Sequence, residues 1–565
     1  MRTASIATSS LLAISSVYAL PEISIGKRDA GLQQSPAAKG AVAKKLAKRQ
    51  SGTLQTTVYD ILDYSYGGAY YANITVGTPP QNQVVIVDTG SSDLYLDASS
   101  APACNGPETA YSCRGGTFDR NSSNTLKIVE PAPAFNTSFG DGSTAVGPFA
   151  TDEVCVGSVC VSNVQFGIAE EVNSTSGFAV GLLGLGYSEN EATNTIYPNL
   201  PEVLKNAGVI SSRLYSVFLN DFAAISGSIL FGGIDTSRFS GALATLDFLP
   251  SARSGVVDAF ITTVTAASVT VGGTSTKLFS GGHNSVQAYQ SSDPALPVLL
   301  DTGSTAWSVD ESIYNQYFAK PFSWVDDQGL CSCSHQNDDT SITLEFGLKV
   351  NITIPIREFV VPIYNASTNT AIPYGNNQGD ACAFLISPSE STGQGFQPMG
   401  DAILRSMYVV FDLDNGQVSL AQASLNSSTR SNVVSVGAGP SGVASALRSA
   451  SSTVSYLPAS TSQTYSIAPY VTGAGSFATS SAATPVGTAT GSRAVPFDAQ
   501  VSVSAMGIVS AAPASAATAT ASAPSGSASK SSAAATGTVV RGASGVVWVL
   551  GVVVCSVLLG GALIL

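Results

Sequence analysis

Two stretches of the chain share one signature, "VVIVDTGSSDLY" at 84–95 and "PVLLDTGSTAW" at 297–307. In each, an apolar run leads into Asp-Thr-Gly-Ser, first at Asp88 and again at Asp301. A single Asp-Thr-Gly is typical of a tight turn, because Asp and Gly both favour turns. Two copies in the same setting indicate two similar halves, each presenting one Asp at a shared cleft.

A second repeated feature follows each motif. It is an apolar segment ending in Gly, "GLLGLG" at 181–186 and "FQPMGDA" at 396–402. Around these segments, short apolar runs alternate with Gly, Asn, Asp and Pro turns, which predicts an all-β fold with few helices. We expect two β lobes, 50–245 and 246–429. Short helices are predicted in "PEVLKNAG", "DESIYNQYF" and "DAILRSM", and a hairpin in "YVVFDLDNGQVSLAQ".

Paired carboxyl groups favour one kind of chemistry. Two carboxylates held close together share a proton, so one can accept a proton from water while the other donates to a carbonyl oxygen. Such a pair hydrolyses an amide without a covalent intermediate, and we expect no cofactor and no metal. The chain has only two histidines, in no recognisable motif, and no clustered Cys-x-x-Cys pairs. A Ser-His-Asp hydrolase, a cysteine peptidase and a zinc site are therefore disfavoured.

At these motifs, residues 65–425 resemble the pepsin-like aspartic proteases, and the layout of the chain resembles the fungal yapsin-type branch. The resemblance also rests on "YYANITVGTPPQNQ", "SFGDGSTAVGPF" and "GDAILRSMYVVFDLDNGQVSLA". It implies a bilobal pepsin-like fold with Asp88 and Asp301 as the catalytic pair. It further implies supporting roles for three pairs of residues. Thr89 and Thr302 would lock the two loops together, and Gly90 and Gly303 would leave room at the cleft floor. Ser91 and Ser304 would donate hydrogen bonds to the carboxylates.

The resemblance also places a flap at "SFGDGS", where Phe139 stands for the usual Tyr, and Tyr95 stands for the Trp that usually follows the first motif. We interpret these as a paired change that alters flap closure, the alternative being two ordinary core aromatics. Gly140 and Asp141 complete the flap and substrate-binding set. The Asp141 carboxylate is expected to favour Lys or Arg before the scissile bond, unless it only stabilises the turn. Asp93, where the family usually has Asn, adds another acid near the cleft.

The ends of the chain suggest processing and anchoring. Residues 1–19 read as a secretory signal and 20–49 as a propeptide removed after the dibasic pair at Arg49. Residues 430–532 are rich in Ser, Ala and Thr and predict an extended stalk. Residues 533–565 match a glycosylphosphatidylinositol (GPI) anchor signal, the alternative being a tail-anchored span. We therefore expect a protein secreted to the outer face of the cell membrane and the cell wall.

An oxidising compartment fits the cysteines and the glycosylation sequons. Short spacings favour Cys104–Cys113 and Cys155–Cys160 as disulfides, and Cys382 then pairs with Cys331 or Cys333. Seven Asn-x-Ser/Thr sequons are candidate glycan sites: Asn73, Asn121, Asn136, Asn173, Asn351, Asn365 and Asn426.

Charge separates the propeptide from the body. Residues 1–49 hold 8 basic and 2 acidic groups, whereas residues 50–429 hold 12 basic and 35 acidic groups, a net of −23. The propeptide could thus cover an acidic surface, and nucleic-acid binding is disfavoured. We expect a monomeric endopeptidase that cleaves polypeptides at acidic pH. The rival is an idle cell-wall binding or structural glycoprotein of the same fold, which would not need two intact Asp motifs.

Overall fold

The computed structural model describes most of the chain between residues 52 and 459. The described residues are 52–63, 67–105, 113–129, 135–174, 179–193, 195–222, 224, 226–251, 255–281, 295–365, 370–375, 378–389, 395–427, 429–450, 454–459, 495–496, 501–503 and 509–511. The predicted signal, propeptide and anchor signal lie outside these residues. Among the helices that are described, none is long and apolar enough to cross a membrane.

The described part of the first half of the body is built mainly from strands. Its strands are β1 (Leu54–Asp63), β2 (Gly67–Val76), β3 (Gln81–Asp88), β4 (Leu94–Asp97), β5 (Lys127–Ile128), β6 (Phe135–Ser138), β7 (Thr144–Gly147), β8 (Phe149–Val156), β9 (Val159–Ala169), β10 (Glu171–Asn173), β11 (Gly181–Gly184), β12 (Leu214–Phe218), β13 (Ser226–Phe231), β14 (Gly233–Asp235) and β15 (Phe239–Asp247). One helix, α1 (Leu200–Asn206), interrupts them and ends near Gly208, which has a φ of +72°.

The described part of the second half is likewise built mainly from strands. Its strands are β16 (Ile261–Val271), β17 (Thr274–Ser280), β18 (Leu296–Leu300), β19 (Trp307–Asp310), β20 (Leu330–Ser332), β21 (Thr340–Phe346), β22 (Val350–Pro355), β23 (Val360–Pro362), β24 (Tyr364–Asn365), β25 (Thr370–Ala371), β26 (Ala381–Phe384), β27 (Ile386–Ser389), β28 (Gln397–Met399), β29 (Met407–Asp412) and β30 (Gln417–Ala423). Two short helices, α2 (Glu311–Ile313) and α3 (Asp401–Leu404), lie where the sequence predicted them, and a π-helical turn over Tyr314–Phe318 extends α2.

The two halves share a strand arrangement around each Asp motif. In the first half β11 lies between β3 and β4, parallel to β3 and antiparallel to β4. In the second half β28 lies between β18 and β19 in the same two senses. The repeated apolar segments "GLLGLG" and "FQPMGDA" supply β11 and β28. The predicted all-β fold with two similar lobes is confirmed.

One large sheet joins the halves, because β29 of the second half pairs with β12 of the first. β29 and β30 form the predicted hairpin, with Gly416 at a positive φ of 63° in its turn. The disulfides are Cys104–Cys113, Cys155–Cys160 and Cys333–Cys382. Cys331 is a buried free thiol, so the open choice for Cys382 is resolved toward Cys333.

The body continues beyond the predicted start of the stalk. Strand β31 (Val433–Ser435) pairs with β14, helix α4 (Gly442–Ser449) follows, and β32 (Ser455–Leu457) pairs in parallel with β15. The side chains of Val443, Ala446 and Leu447 are buried, a spacing that gives one apolar helical face despite the Ser- and Ala-rich composition. The described residues 433–435, 442–449 and 455–457 thus pack on the body, past the predicted start of the stalk at 430. Three further short strands are β33 (Val495–Pro496), β34 (Val501–Val503) and β35 (Val509–Ala511).

Candidate active site

The two Asp-Thr-Gly-Ser loops meet at the centre of the molecule. Asp88 ends β3 and Asp301 follows β18, and both side chains are 0% exposed. The two carboxyl groups lie close enough that the charge of Asp88 raises the pKa of Asp301. The sequence placed both residues at a shared site, and the structure brings them together.

Each carboxyl group is held by its own loop in the same way. The Gly90 amide donates to Asp88 Oδ1 at 2.7 Å and the Gly303 amide donates to Asp301 Oδ1 at 2.8 Å. The Ser304 hydroxyl donates to Asp301 Oδ2 at 2.6 Å, and the Ser91 hydroxyl donates to Asp88 Oδ2. These bonds fix both carboxyl planes.

The two glycines are required by the closeness of the opposite loop. A Cβ at Gly90 would lie 2.6 Å from Asp301 Oδ1, and a Cβ at Gly303 would lie 2.6 Å from Asp88 Oδ1. Any side chain at either position would push the carboxyl groups apart. Each loop therefore leaves space for the acid of the other.

The threonines lock the loops beneath the carboxyl groups. The Thr89 amide donates to Thr302 Oγ1 at 3.1 Å and the Thr302 amide donates to Thr89 Oγ1 at 3.0 Å. Each hydroxyl also donates at 2.8 Å to a carbonyl oxygen of the other half, Thr89 to Leu300 and Thr302 to Val87. All four bonds cross between the halves, so the separation of the two acids is set by buried hydrogen bonds.

The two acids differ in acidity although their loops match. Burial raises the pKa of Asp88, and the Ser91 hydroxyl and the Gly90 amide partly oppose that rise. Burial raises the pKa of Asp301 well above its usual range, and the neighbouring Asp88 charge raises it further. The pair consequently retains one proton at pH values where an ordinary carboxyl group is ionised.

A family model described as eukaryotic aspartyl protease matches residues 69–423 of the chain. The chain belongs to that family. The protease is 34% identical over 407 residues to a probable aspartic-type endopeptidase OPSB of Arthroderma benhamiae, covering 70% of this chain and 76% of the relative. It is 31% identical over 373 residues to candidapepsin-3 of Candida albicans, covering 65% of this chain and 82% of the relative. It is an aspartic-type endopeptidase.

A solved structure agrees on the fold. The aspartic proteinase of Irpex lacteus superposes on this protease with a TM-score of 0.50 at 18% identity, over 66% of this chain and 99% of the other.

The predicted flap is the hairpin of β6 and β7, which β10 extends to a three-stranded sheet. Phe139 and Tyr95 are each 7% exposed, with ring centroids 6.2 Å apart, so the two departures from the family pattern are neighbours. Both rings lie in one apolar cluster with Phe135. Asp141 folds back on the turn, its Oδ1 accepting from the Ser143 amide at 2.8 Å and its Oδ2 from the Ser143 hydroxyl at 2.6 Å.

Asp93 lies behind the first loop and does not line an open surface. Its Oδ2 accepts from the Ala192 amide at 2.7 Å and its Oδ1 from the Tyr197 hydroxyl. The Tyr197 amide donates to Glu191 Oε2 at 2.9 Å, which joins two acids through one tyrosine. Burial raises the pKa of Asp93 to about 6 and that of Glu191 to about 9.

A second buried group, behind the other loop, was missed by the sequence analysis. The Asp401 amide donates to the Ser304 carbonyl oxygen at 2.9 Å, and burial raises the pKa of Asp401 well above its usual range. Arg405, one helical turn further on, bonds to Glu358 Oε2 at 2.7 Å. The spacing of Asp and Arg in "GDAILR" was a signal for this group, but its Glu partner is 47 residues away.

Proposed function

We propose that this endopeptidase hydrolyses peptide bonds through the Asp88–Asp301 pair at acidic pH, outside the cell. The observation that carries the mechanism is the close approach of two fully buried carboxyl groups, each held by its own loop in the same way and packed against the glycine of the other loop. Asp88 is the ionised member and accepts a proton from the attacking water. Asp301 holds the shared proton and donates it to the carbonyl oxygen of the substrate.

The pH range follows from the pair. Activity falls as the pH drops through the range where Asp88 becomes protonated, and falls again as the pH rises through the range where Asp301 loses its proton. The test is to incubate the purified protein with a peptide library from pH 3 to 7, with and without pepstatin. Cleavage in acid that pepstatin blocks supports the proposal, whereas cleavage that only a thiol reagent blocks contradicts it.

Placement outside the cell, through the predicted signal and GPI anchor, forms part of the proposal. One similar protein is named secreted aspartic protease 3, from Candida albicans, which supports an extracellular site. Treating intact cells with a phospholipase specific for phosphatidylinositol should release the active protein into the medium. If the activity stays with the cells after such treatment, the prediction of a GPI anchor is wrong.

A preference for Lys or Arg before the scissile bond is proposed from the Asp141 charge. The Asp141 carboxyl group accepts two bonds from Ser143, and its oxygens can accept further hydrogen bonds. Asp141→Asn keeps an acceptor for the Ser143 amide and removes the charge, so kcat/KM after Lys or Arg should fall about tenfold, or 1.4 kcal/mol. Cleavage after Leu or Phe should hold steady. Asp141→Ala, which loses the turn bonds too, should lower both, and equal losses in Asp141→Asn would assign the residue to the turn alone.

A further inference from the structure

The outer face of the flap sheet carries two of the seven sequons. The flap sheet has the order β10–β7–β6, in which Asn136 lies opposite Val146 and Val146 opposite Glu171. Two residues along, Ser138 lies opposite Thr144 and Thr144 opposite Asn173. Because alternate residues of a strand face opposite sides, Asn136 and Asn173 point from the same face.

The other face of the flap sheet is covered. Ala145 is 1% exposed, and Val172 packs against the apolar cluster that contains Tyr95 and Phe139. Asn136 and Asn173 are both exposed. The face with the two asparagines therefore points to solvent, away from the aromatic cluster beneath the flap.

We propose that Asn136 and Asn173 carry N-linked oligosaccharides that admit short or unfolded peptides to the cleft and hinder folded proteins. This inference rests on the proposed passage through the secretory pathway. In the modification, the Asn side-chain nitrogen bonds to the anomeric carbon of a sugar carried on a polyprenyl diphosphate. The carbon–oxygen bond to the diphosphate breaks, and the amide gives up one proton. The sequons are Asn-Thr-Ser at 136–138 and Asn-Ser-Thr at 173–175.

The geometry explains why the glycans would select by substrate shape. Neighbouring strands lie about 4.8 Å apart, so the two sites, separated by β7, are roughly 10–12 Å from each other on one small sheet. Asn136 is three residues before Phe139, whose buried ring lies on the opposite face. Sugars at both sites would add bulk to the outer lip of the cleft and leave its inner wall free.

Occupancy is tested by mass spectrometry of the protein after enzymatic glycan removal in heavy-oxygen water, which labels each former glycan site as Asp. We expect the label at Asn136 and Asn173. The exposed sequons Asn121 and Asn351 serve as internal controls, because they lie off the flap sheet. Label at the controls but not on the flap overturns this inference alone, whereas a protein without label at any sequon contradicts the proposed secretion, and this inference with it.

The consequence is tested with matched variants. Ser138→Ala combined with Asn173→Gln removes both sequons and keeps Asn136, while Ser138→Thr keeps its sequon. The first variant should cleave a folded, disulfide-bonded protein at least about threefold faster, with less than a twofold change on a short peptide or on the same protein after reduction. Asn351→Gln should match the wild type on all three substrates. Equal changes on folded and unfolded substrates would refute selection by shape.

Discussion

The loops at Asp88 and Asp301 have the same sequence and the same internal hydrogen bonds, yet their acids are not equivalent. Burial raises the pKa of both acids, and the Asp88 charge raises that of Asp301 further. The segments packed behind the two loops also differ. Behind the first loop lie Asp93 and the Tyr197–Glu191 group. Behind the second, position 306 is Ala, and the nearby buried acid is Asp401, close to the Arg405 charge. A repeated motif thus fixes the geometry of the pair, while the buried groups packed behind the two loops are not repeated.

The largest effect should come from the acids themselves. Asp88→Asn and Asp301→Asn each keep the shape of the side chain but cannot exchange the proton, so each should lower kcat by at least about 10³-fold, or about 4 kcal/mol. Because the pair acts as a unit, the double variant should lose little more than either single variant. Turnover on a chromogenic peptide measures this, and a single variant near wild-type activity would refute the shared-proton mechanism.

The threonine bonds should be as symmetric as the loops. Thr89→Val leaves the Leu300 carbonyl oxygen and the Thr302 amide without their buried partner, and Thr302→Val does the same for the other half. Each should lower the free energy of unfolding by about 2 kcal/mol. The exposed Thr276→Val, on β17, is the control, with a change below about 0.5 kcal/mol. Markedly unequal losses of stability in the two variants would show that the two threonines do not contribute equally.

Glu191 should make stability fall as the pH rises. Its pKa is raised to about 9 in the folded protein, so the folded state resists an ionisation that the unfolded chain undergoes near pH 4.5. This contribution is complete below pH 4.5 and declines toward pH 9. Glu191→Gln should therefore match the wild type at pH 4. At pH 7, about 2.5 units above the unfolded-state pKa, it should be more stable by roughly 3 kcal/mol, seen as a higher melting temperature. The control is Glu189→Gln at the exposed neighbouring position, which should show no such difference between the two pH values. If Glu191→Gln gained the same stability at pH 4 and pH 7, ionisation of Glu191 would not be the cause of the gain.

The smallest effect separates the two acids most sharply. The Ser91 and Ser304 hydroxyls stabilise the ionised forms of Asp88 and Asp301, so removing either one raises the pKa of its own acid. Ser91→Ala should shift the acidic limb of the kcat profile up by about half a pH unit, and Ser304→Ala should shift the alkaline limb up by a similar amount. If both variants move the same limb, the assignment of the proton to Asp301 is wrong.

Local patterns predicted the parts of the site that lie close together along the chain. The apolar run, the turn residues and the second apolar segment follow one another in each half, which is why the loops, β11 and β28 could be predicted. The bond between Arg405 and Glu358 could not, because it joins distant segments through packing. The pairing of Cys382 was open for a related reason, since Cys331 and Cys333 are two residues apart and only the sheet decides between them.

Composition was misleading at the end of the body. Ser and Ala are as compatible with a stalk as with the polar side of a short helix. The composition of residues 442–449 therefore did not predict the helix that they form. The spacing of Val443, Ala446 and Leu447 was the available signal. A window of composition averages away this spacing, whereas the hydrophobic periodicity retains it.

The segment after β30 matters for any shortened form of the enzyme. The family match ends at residue 423, which invites a recombinant chain cut just beyond it. Such a truncation would remove β32 from the large sheet and α4 from the face that it covers. Leu214, Phe218 and Leu243 of that face would then be exposed to water. A newly bared apolar patch of this kind promotes aggregation. A chain that ends after residue 459 would keep α4 and β32 over this face. Comparing the soluble yield of the two lengths would measure how much these two elements contribute to solubility.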